Sequence, residues 1–282
     1  MMNLILPATV PPDKHETYRK NYETITHKTD RLFLFAADQK MEHLNKDFFG
    51  PGLPPEINTP EHIFSIADQS NIGVFATHLG LINRYAQEFK NIPYCAKLDG
   101  KTNLSQGEPY SMQIWSVQDA LTTMQNTGIT IHAVGYTVYV GSEYERDMLT
   151  EAATIVKNAH AAGLVAILWM YPRGAGVENE KDENLIAGAA GLGASLGADF
   201  VKVNEPDSGP AGLKQAVEAA GNTKVIVAGG PALKQENCLE MVKQQLELGS
   251  TAGGAIGRNI FQHSLKDAIN LSNKLSELIY KN

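Results

Sequence analysis

From residue 32 onward, short runs of consecutive apolar residues recur, each closing on a polar residue or glycine. The runs cover residues 32–37, 72–77, 94–98, 131–140, 164–170, 200–203, 225–228 and 252–256. Most are followed by a longer stretch of helical character. Pro60-Glu61 sets proline at a first helical turn, and 117–124 carries apolar residues at helical spacing. The segment 143–161 begins with Glu143, Glu145 and Asp147, where a helix dipole favours negative charge, and runs into alanine-rich sequence. Residues 183–196 are rich in Ala and Gly, and 236–248 and 265–279 show the 3.6-residue period of an amphipathic helix.

Strand and helix in strict alternation predict a parallel sheet with right-handed crossovers. Continuous rather than alternating apolar strands indicate burial on both faces. Eight such units make a closed (β/α)8 TIM barrel the economical fold, with an open doubly wound sheet as the alternative. No Pro-, Gly- or Ser-rich linker divides the chain. We therefore read one α/β domain over 31–282, preceded by a polar N-terminal extension over 1–30 that contains Pro11-Pro12 and a helix around 13–24.

Composition narrows the function. The 282 residues carry 24 basic and 31 acidic side chains, a formal charge of −7. A nucleic-acid binder needs a basic face, so that class is excluded, and an anionic ligand would need positive charge supplied locally. Cys95 and Cys238 have no metal-binding spacing and imply no disulfide framework, which fits a reducing cytoplasm. The amino terminus has neither the basic start nor the long apolar run of a signal peptide. The longest apolar run, 164–171, is too short to span a membrane.

In a barrel, chemistry gathers where strands end. The sixth run holds Lys202 within Phe200-Val201-Lys202-Val203. Apolar surroundings disfavour the ammonium and release the free amine that Schiff-base chemistry needs, although a lysine paired with a carboxylate such as Glu205 reads equally well here. The fifth run ends Trp169-Met170-Tyr171-Pro172-Arg173-Gly174. Alternation puts Trp169 and Tyr171 on one face, where a phenol can move protons and an indole can wall a dry pocket, unless both simply cap the core. Asp38 ends the first run and can orient a hydroxyl, pair with a lysine or cap a turn. Lys97 is a positive charge at the barrel mouth or half of a surface pair with Asp99. His78 reads as a satisfied polar histidine, and His132 has no assigned role. Glu42-His43 lacks partners at metal-ligand spacing, so no metal site is expected. The last two runs end in Gly229-Gly230 and Gly257-Arg258. Consecutive glycine N–H groups can wrap an oxyanion, and barrels often hold phosphate at these two loops, with arginine as a bidentate donor. Together these residues describe an enzyme that forms an iminium with a phosphorylated carbonyl compound: an aldolase, a transaldolase or a related carbon–carbon lyase.

The string Trp169-Met170-Tyr171-Pro172-Arg173-Gly174, then Asn179-Glu180, then Gly197-Ala198-Asp199-Phe200-Val201-Lys202, resembles the archaeal-type class I fructose-1,6-bisphosphate aldolases of the deoxyribose-phosphate aldolase-like group. The segments Ala228-Gly229-Gly230-Pro231 and Gly257-Arg258-Asn259 are similar to that family's phosphate loops, and Asp38-Gln39 with Glu42-His43 places the chain nearer a bacterial branch. The resemblance implies metal-independent, reversible cleavage of fructose 1,6-bisphosphate to dihydroxyacetone phosphate and glyceraldehyde 3-phosphate, in hexose breakdown or synthesis. It implies Lys202 as the Schiff-base lysine, Tyr171 as general acid/base, Trp169 packed beside the iminium and Asp38 binding hydroxyls or tuning Lys202. It assigns Gly229, Gly230, Gly257 and Arg258 to one phosphate, and Lys97 and Arg173 to other polar or second-phosphate contacts. No cofactor beyond the lysine is implied, and a cytoplasmic homo-oligomer is. After Lys202 the chain reads Val203-Asn204-Glu205 where many relatives have Tyr-Thr-Gly, which leaves the sugar preference open. The alternatives are a related Schiff-base synthase or transaldolase-like enzyme, a thiolase-like acyl transferase acting on another phosphorylated ketone, and a non-catalytic sugar-phosphate-binding protein.

Overall fold

A computed structural model describes residues 4–281. The eight apolar runs form eight strands: β1 Leu32–Ala36, β2 Val74–His78, β3 Tyr94–Lys97, β4 Ile131–Val140, β5 Val165–Pro172, β6 Phe200–Val203, β7 Lys224–Ala228 and β8 Gly253–Ile256. Each pairs in parallel with its two neighbours, and β8 closes back onto β1. The fold is the (β/α)8 TIM barrel expected from the pattern, and the open sheet is ruled out by that closure. Strand ends move by at most a few residues. The fifth run extends to Pro172 because the long β4 offers partners that far, with Tyr139 opposite Tyr171 and Val140 opposite Pro172.

Alternation along each strand sorts side chains into two cores. Phe33, Phe35, Phe75, Val134, Leu168, Val201 and Val227 point outward and pack under the helices. Leu34, Val74, Cys95, Ala133, Ile167, Phe200 and Ile226 point into the barrel. Where β1 and β8 meet, only glycine fits at 253: its φ is +139°, and a Cβ would stand 2.1 Å from the Leu32 carbonyl oxygen. Helix His15–Ile25, close to the predicted 13–24, closes the floor of the barrel by burying Tyr18, Tyr22 and Ile25 against the inner core. His132, at the start of β4, lies against this lower end, away from the strand ends that carry chemistry; burial and the Lys20 charge lower its pKa to about 4.

The floor is held by one carboxylate. Asp199 accepts hydrogen bonds from Tyr18 Oη and from the Ala166 amide, and its Oδ2 lies 3.1 Å from His160 Nε2. Thr9 Oγ1 in turn meets His160 Nδ1 at 2.6 Å, so the segment before the helix is tied to the same group. A buried anion with three donors is expensive to disturb, because removing it leaves each donor unsatisfied. Asp199→Ala is therefore expected to lower unfolding free energy by about 3–5 kcal/mol in urea titrations; a loss below about 1 kcal/mol would mean the network carries little of the fold's stability.

Candidate active site

At the C-terminal ends of the strands, one pocket is lined by all ten residues singled out from the sequence: Asp38, Lys97, Trp169, Tyr171, Arg173, Lys202, Gly229, Gly230, Gly257 and Arg258. Parity places them there. In β5 the inward set runs Val165, Ile167, Trp169 and on to Tyr171, and in β6 it runs Phe200 then Lys202. Neighbouring strands hold Thr137, Trp169, Lys202 and Ile226 in register. Asp38 sits two residues beyond Ala36 and so keeps the inward parity of β1.

Lys202 is 5% exposed, and its Nζ lies 5.1 Å from the Trp169 ring centre. Burial lowers its pKa from 10.5 to about 8; the Asp38 charge resists that fall and the Lys97 charge adds to it. Burial acts to raise the Asp38 carboxyl, but the charges of Lys202, Lys97 and His78 outweigh it and hold the carboxylate below its ordinary range. The Tyr171 phenol is pushed well above its ordinary value, first by burial and then by the Asp38 and Glu42 charges, so it is a proton carrier in its neutral form. Trp169 is 2% exposed, and its indole N–H has no partner among the described residues.

Lys97 is neither a surface pair nor a free cation. It is 4% exposed and donates to both oxygens of Asp99, at 2.6 and 2.8 Å, and to Thr137 Oγ1 at 2.7 Å. Ser111 donates to the same carboxylate, and His78 Nε2 lies 3.1 Å from the Asp99 carbonyl oxygen. With its charge compensated there, and its Nζ 4.9 Å from the Trp169 ring centre, Lys97 fits a fixed charge beside the Lys202 amine better than a phosphate ligand. His78 is buried and hydrogen-bonded, as expected. Arg173 lines the mouth of the pocket and gives two 2.9 Å hydrogen bonds to Glu180.

The two glycine turns meet side by side. Gly257 has no room for a side chain, since a Cβ would stand 2.4 Å from the Ala36 carbonyl oxygen. Gly230 takes φ +63°, a left-handed backbone with open space beside it. Arg258 donates to the Gly230 carbonyl at 3.0 Å and stands 3.9 Å from Asp47, which fix the guanidinium at the turn.

Several residues of the site were given no role by the sequence reading. Asn259 donates to the Gly229 and Pro231 carbonyls and accepts from the Leu233 amide, binding the two turns together. Gly135 leaves the space that the Trp169 indole fills: a Cβ would stand 2.5 Å from it. Thr137 and Gly135 share the inward parity of Ala133 in β4, a signal that alternation within 131–140 could have given. Asp47, Ser111 and Glu180 come from loops, where no periodicity points to them. Among the described residues no group of three His, Cys, Asp or Glu is arranged to hold a metal ion, and no helix is long and apolar enough to cross a membrane.

Comparison with known proteins follows the same lines. The profile of the DeoC/LacD family aldolases matches residues 32–263. A Methanocaldococcus jannaschii protein described as fructose-bisphosphate aldolase/6-deoxy-5-ketofructose 1-phosphate synthase is 48% identical over 273 residues, 96% of this chain and 88% of that one. The solved fructose-bisphosphate aldolase of Slackia heliotrinireducens superposes with a TM-score of 0.95 at 44% identity, covering 98% of this chain and 90% of that one. An archaeal fructose-1,6-bisphosphate aldolase, solved with its catalytic lysine covalently bound to the carbinolamine intermediate of the substrate, superposes with a TM-score of 0.80 at 30% identity, over 93% of this chain and 99% of that one.

The electrostatics give a direct expectation. Acylation of Lys202 by an amine-selective reagent should rise with pH through a midpoint near 8 rather than 10.5, because only the deprotonated amine reacts. Asp38→Asn removes the charge that favours the ammonium, so the midpoint should move down; a midpoint near 10.5 in the unmodified protein would show that burial does not tune the amine.

Proposed function

The chain belongs to the DeoC/LacD aldolase family and is a carbon–carbon lyase of the class 1 fructose-bisphosphate aldolase type, and we propose that Lys202 is the amine that bonds to its substrate. One observation carries the assignment: a lysine inside the barrel rim, its pKa lowered to about 8 by burial, set against an indole and between a carboxylate and two glycine turns. Relatives named for fructose-bisphosphate cleavage give the substrate.

The neutral Lys202 amine adds to the ketone carbon of fructose 1,6-bisphosphate to give a carbinolamine. Tyr171 donates a proton to the departing hydroxyl, water leaves and an iminium forms. The phenolate left behind takes the proton of the C4 hydroxyl while the C3–C4 electron pair moves into the iminium, which releases glyceraldehyde 3-phosphate and leaves an enamine. Tyr171 then returns that proton to C3, and hydrolysis frees dihydroxyacetone phosphate and Lys202. The iminium is the electron sink, so this route needs no metal ion. Asp38, held ionised, stabilises the iminium charge and accepts from substrate hydroxyls. The Trp169 face does the same for the cation through its quadrupole. Gly229, Gly230, Gly257 and Arg258 take the phosphate on the ketone fragment, while Arg173 contacts the far end of the sugar. In the same reading 31–282 is the catalytic barrel and 1–30 a preceding extension, in a homo-oligomer of the cytoplasm. The family likeness and two free, buried thiols support that setting.

The second half of the Methanocaldococcus jannaschii protein's name gives a second reading, favoured by the 48% identity. Breaking the C3–C4 bond of 6-deoxy-5-ketofructose 1-phosphate yields dihydroxyacetone phosphate and 2-oxopropanal. The same enamine on Lys202 would then attack a different aldehyde.

The test is release of triose phosphates from fructose 1,6-bisphosphate. Lys202→Met should abolish it. Tyr171→Phe should lower kcat by about 10²–10⁴-fold, the usual contribution of a positioned acid/base; unchanged turnover would remove Tyr171 from the chemistry. Treatment with EDTA should leave the rate unchanged, whereas loss restored by zinc would contradict the metal-free route.

A further inference from the structure

His78 has one ring nitrogen committed and one open. It closes β2, between Asp38, just past the end of β1, and Lys97, its ladder partner on β3. Its Nε2 lies 3.1 Å from the Asp99 carbonyl oxygen, and a carbonyl can only accept, so Nε2 carries the ring proton. Burial, and after it the Lys97 charge, lower the pKa of the ring, which is neutral near pH 7. The tautomer is thereby set, and Nδ1 holds a bare lone pair.

Among the described residues, none donates to that lone pair. Nor is Nδ1 sealed off: the fully buried side-chain atoms without a partner belong to Gln39, Ser70, His132 and Trp169. The His78 ring lines the pocket that holds Lys202, so Nδ1 opens on that pocket. Lys97, beside it in the ladder, has its three N–H bonds engaged by the two Asp99 oxygens and Thr137. A buried acceptor left in this state is costly unless a ligand supplies the donor.

β2 stands opposite β6 in the closed barrel, four strands away in either direction. A ketone bonded to Lys202, with its phosphate drawn to the glycine turns after β7 and β8, carries its next carbon on the side away from those turns. That carbon is C3 of the sugar, the hydroxymethyl carbon of dihydroxyacetone phosphate. Its hydroxyl is a donor directed across the barrel, toward the strands that present Nδ1.

We propose that His78 Nδ1 accepts a hydrogen bond from the C3 hydroxyl of the ketone half, which makes His78 the residue that selects hydroxylated over deoxygenated ketone phosphates. The inference deepens the Schiff-base aldolase reading and rests on it. Its test compares two ligands by calorimetry: dihydroxyacetone phosphate and 1-hydroxypropan-2-one phosphate, which lacks only that hydroxyl. The quantity read is the ratio of their Kd values.

The unmodified protein should bind dihydroxyacetone phosphate at least about fivefold more tightly, the usual worth of one neutral hydrogen bond. His78→Gln keeps a donor for the Asp99 carbonyl but places no acceptor where Nδ1 stands. It should cut the ratio about fivefold by weakening dihydroxyacetone phosphate alone. An equal loss for both ligands would mean that His78 only shapes the site, and would overturn the proposal. A ratio near one in the unmodified protein would overturn it without any variant. With histidine labelled by nitrogen-15, the Nδ1 resonance of the unmodified protein should move upfield with dihydroxyacetone phosphate and stay in place with the deoxygenated ligand; equal movement with both would also overturn it. Failure of the aldolase reading looks different: neither ketone phosphate would bind, and the proposal would fall with it.

Discussion

An amine buried beside a carboxylate is the constraint on which the rest of this protein turns. As the proposed Schiff-base amine, Lys202 must be neutral to attack a carbonyl and charged, as an iminium, to accept electrons. A dry environment favours the first state, and a fixed anion stabilises the second. The barrel supplies both by enclosing Lys202 between Trp169 and its neighbours while Asp38 stays ionised nearby. Lys97, pinned by Asp99 and Thr137, keeps the balance from tipping. Its charge opposes the ammonium on Lys202 and favours the carboxylate on Asp38, and both effects serve the proposed attacking step.

The scaffold holds this arrangement because every participant sits on a strand end or in the first turn after it. Parallel strands fix register across the barrel, so Thr137, Trp169 and Lys202 cannot slide past one another without breaking the ladder. Asp199, one residue before β6, anchors the opposite end of the Lys202 strand to the floor through Tyr18 and the Ala166 amide. The same segment that delivers the Lys202 amine thus carries the group that seals the bottom.

The strands and the residues on them were legible in the sequence because burial on both faces writes long apolar runs, and a lysine within one stands out. Trp169 and Tyr171 share a face by parity alone, and the glycine turns were visible as composition; that Lys202 joins them needs the register between strands, which only the structure gives. The partners of charged groups were not legible. Lys97 read equally as a mouth cation or as a surface ion pair, since sequence does not show that Asp99, Thr137 and Ser111 converge on one buried point. Glu42 drew notice as half of a rejected metal motif and in the branch resemblance, but its position between Lys101 and Arg173 depends on how two loops fold over the mouth. Asn259, although part of the segment resembling a phosphate loop, was given no role of its own, because its carbonyl partners belong to another turn.

The central claim is that a single nitrogen bonds to the substrate, and one measurement reads that bond directly. The protein is incubated with fructose 1,6-bisphosphate, reduced with borohydride, digested and mapped by mass spectrometry. The account predicts one stable adduct on the peptide containing Lys202, at the mass of the reduced dihydroxyacetone phosphate imine. An adduct on Lys97 or Lys101, or turnover of the sugar with no adduct at all, would contradict it.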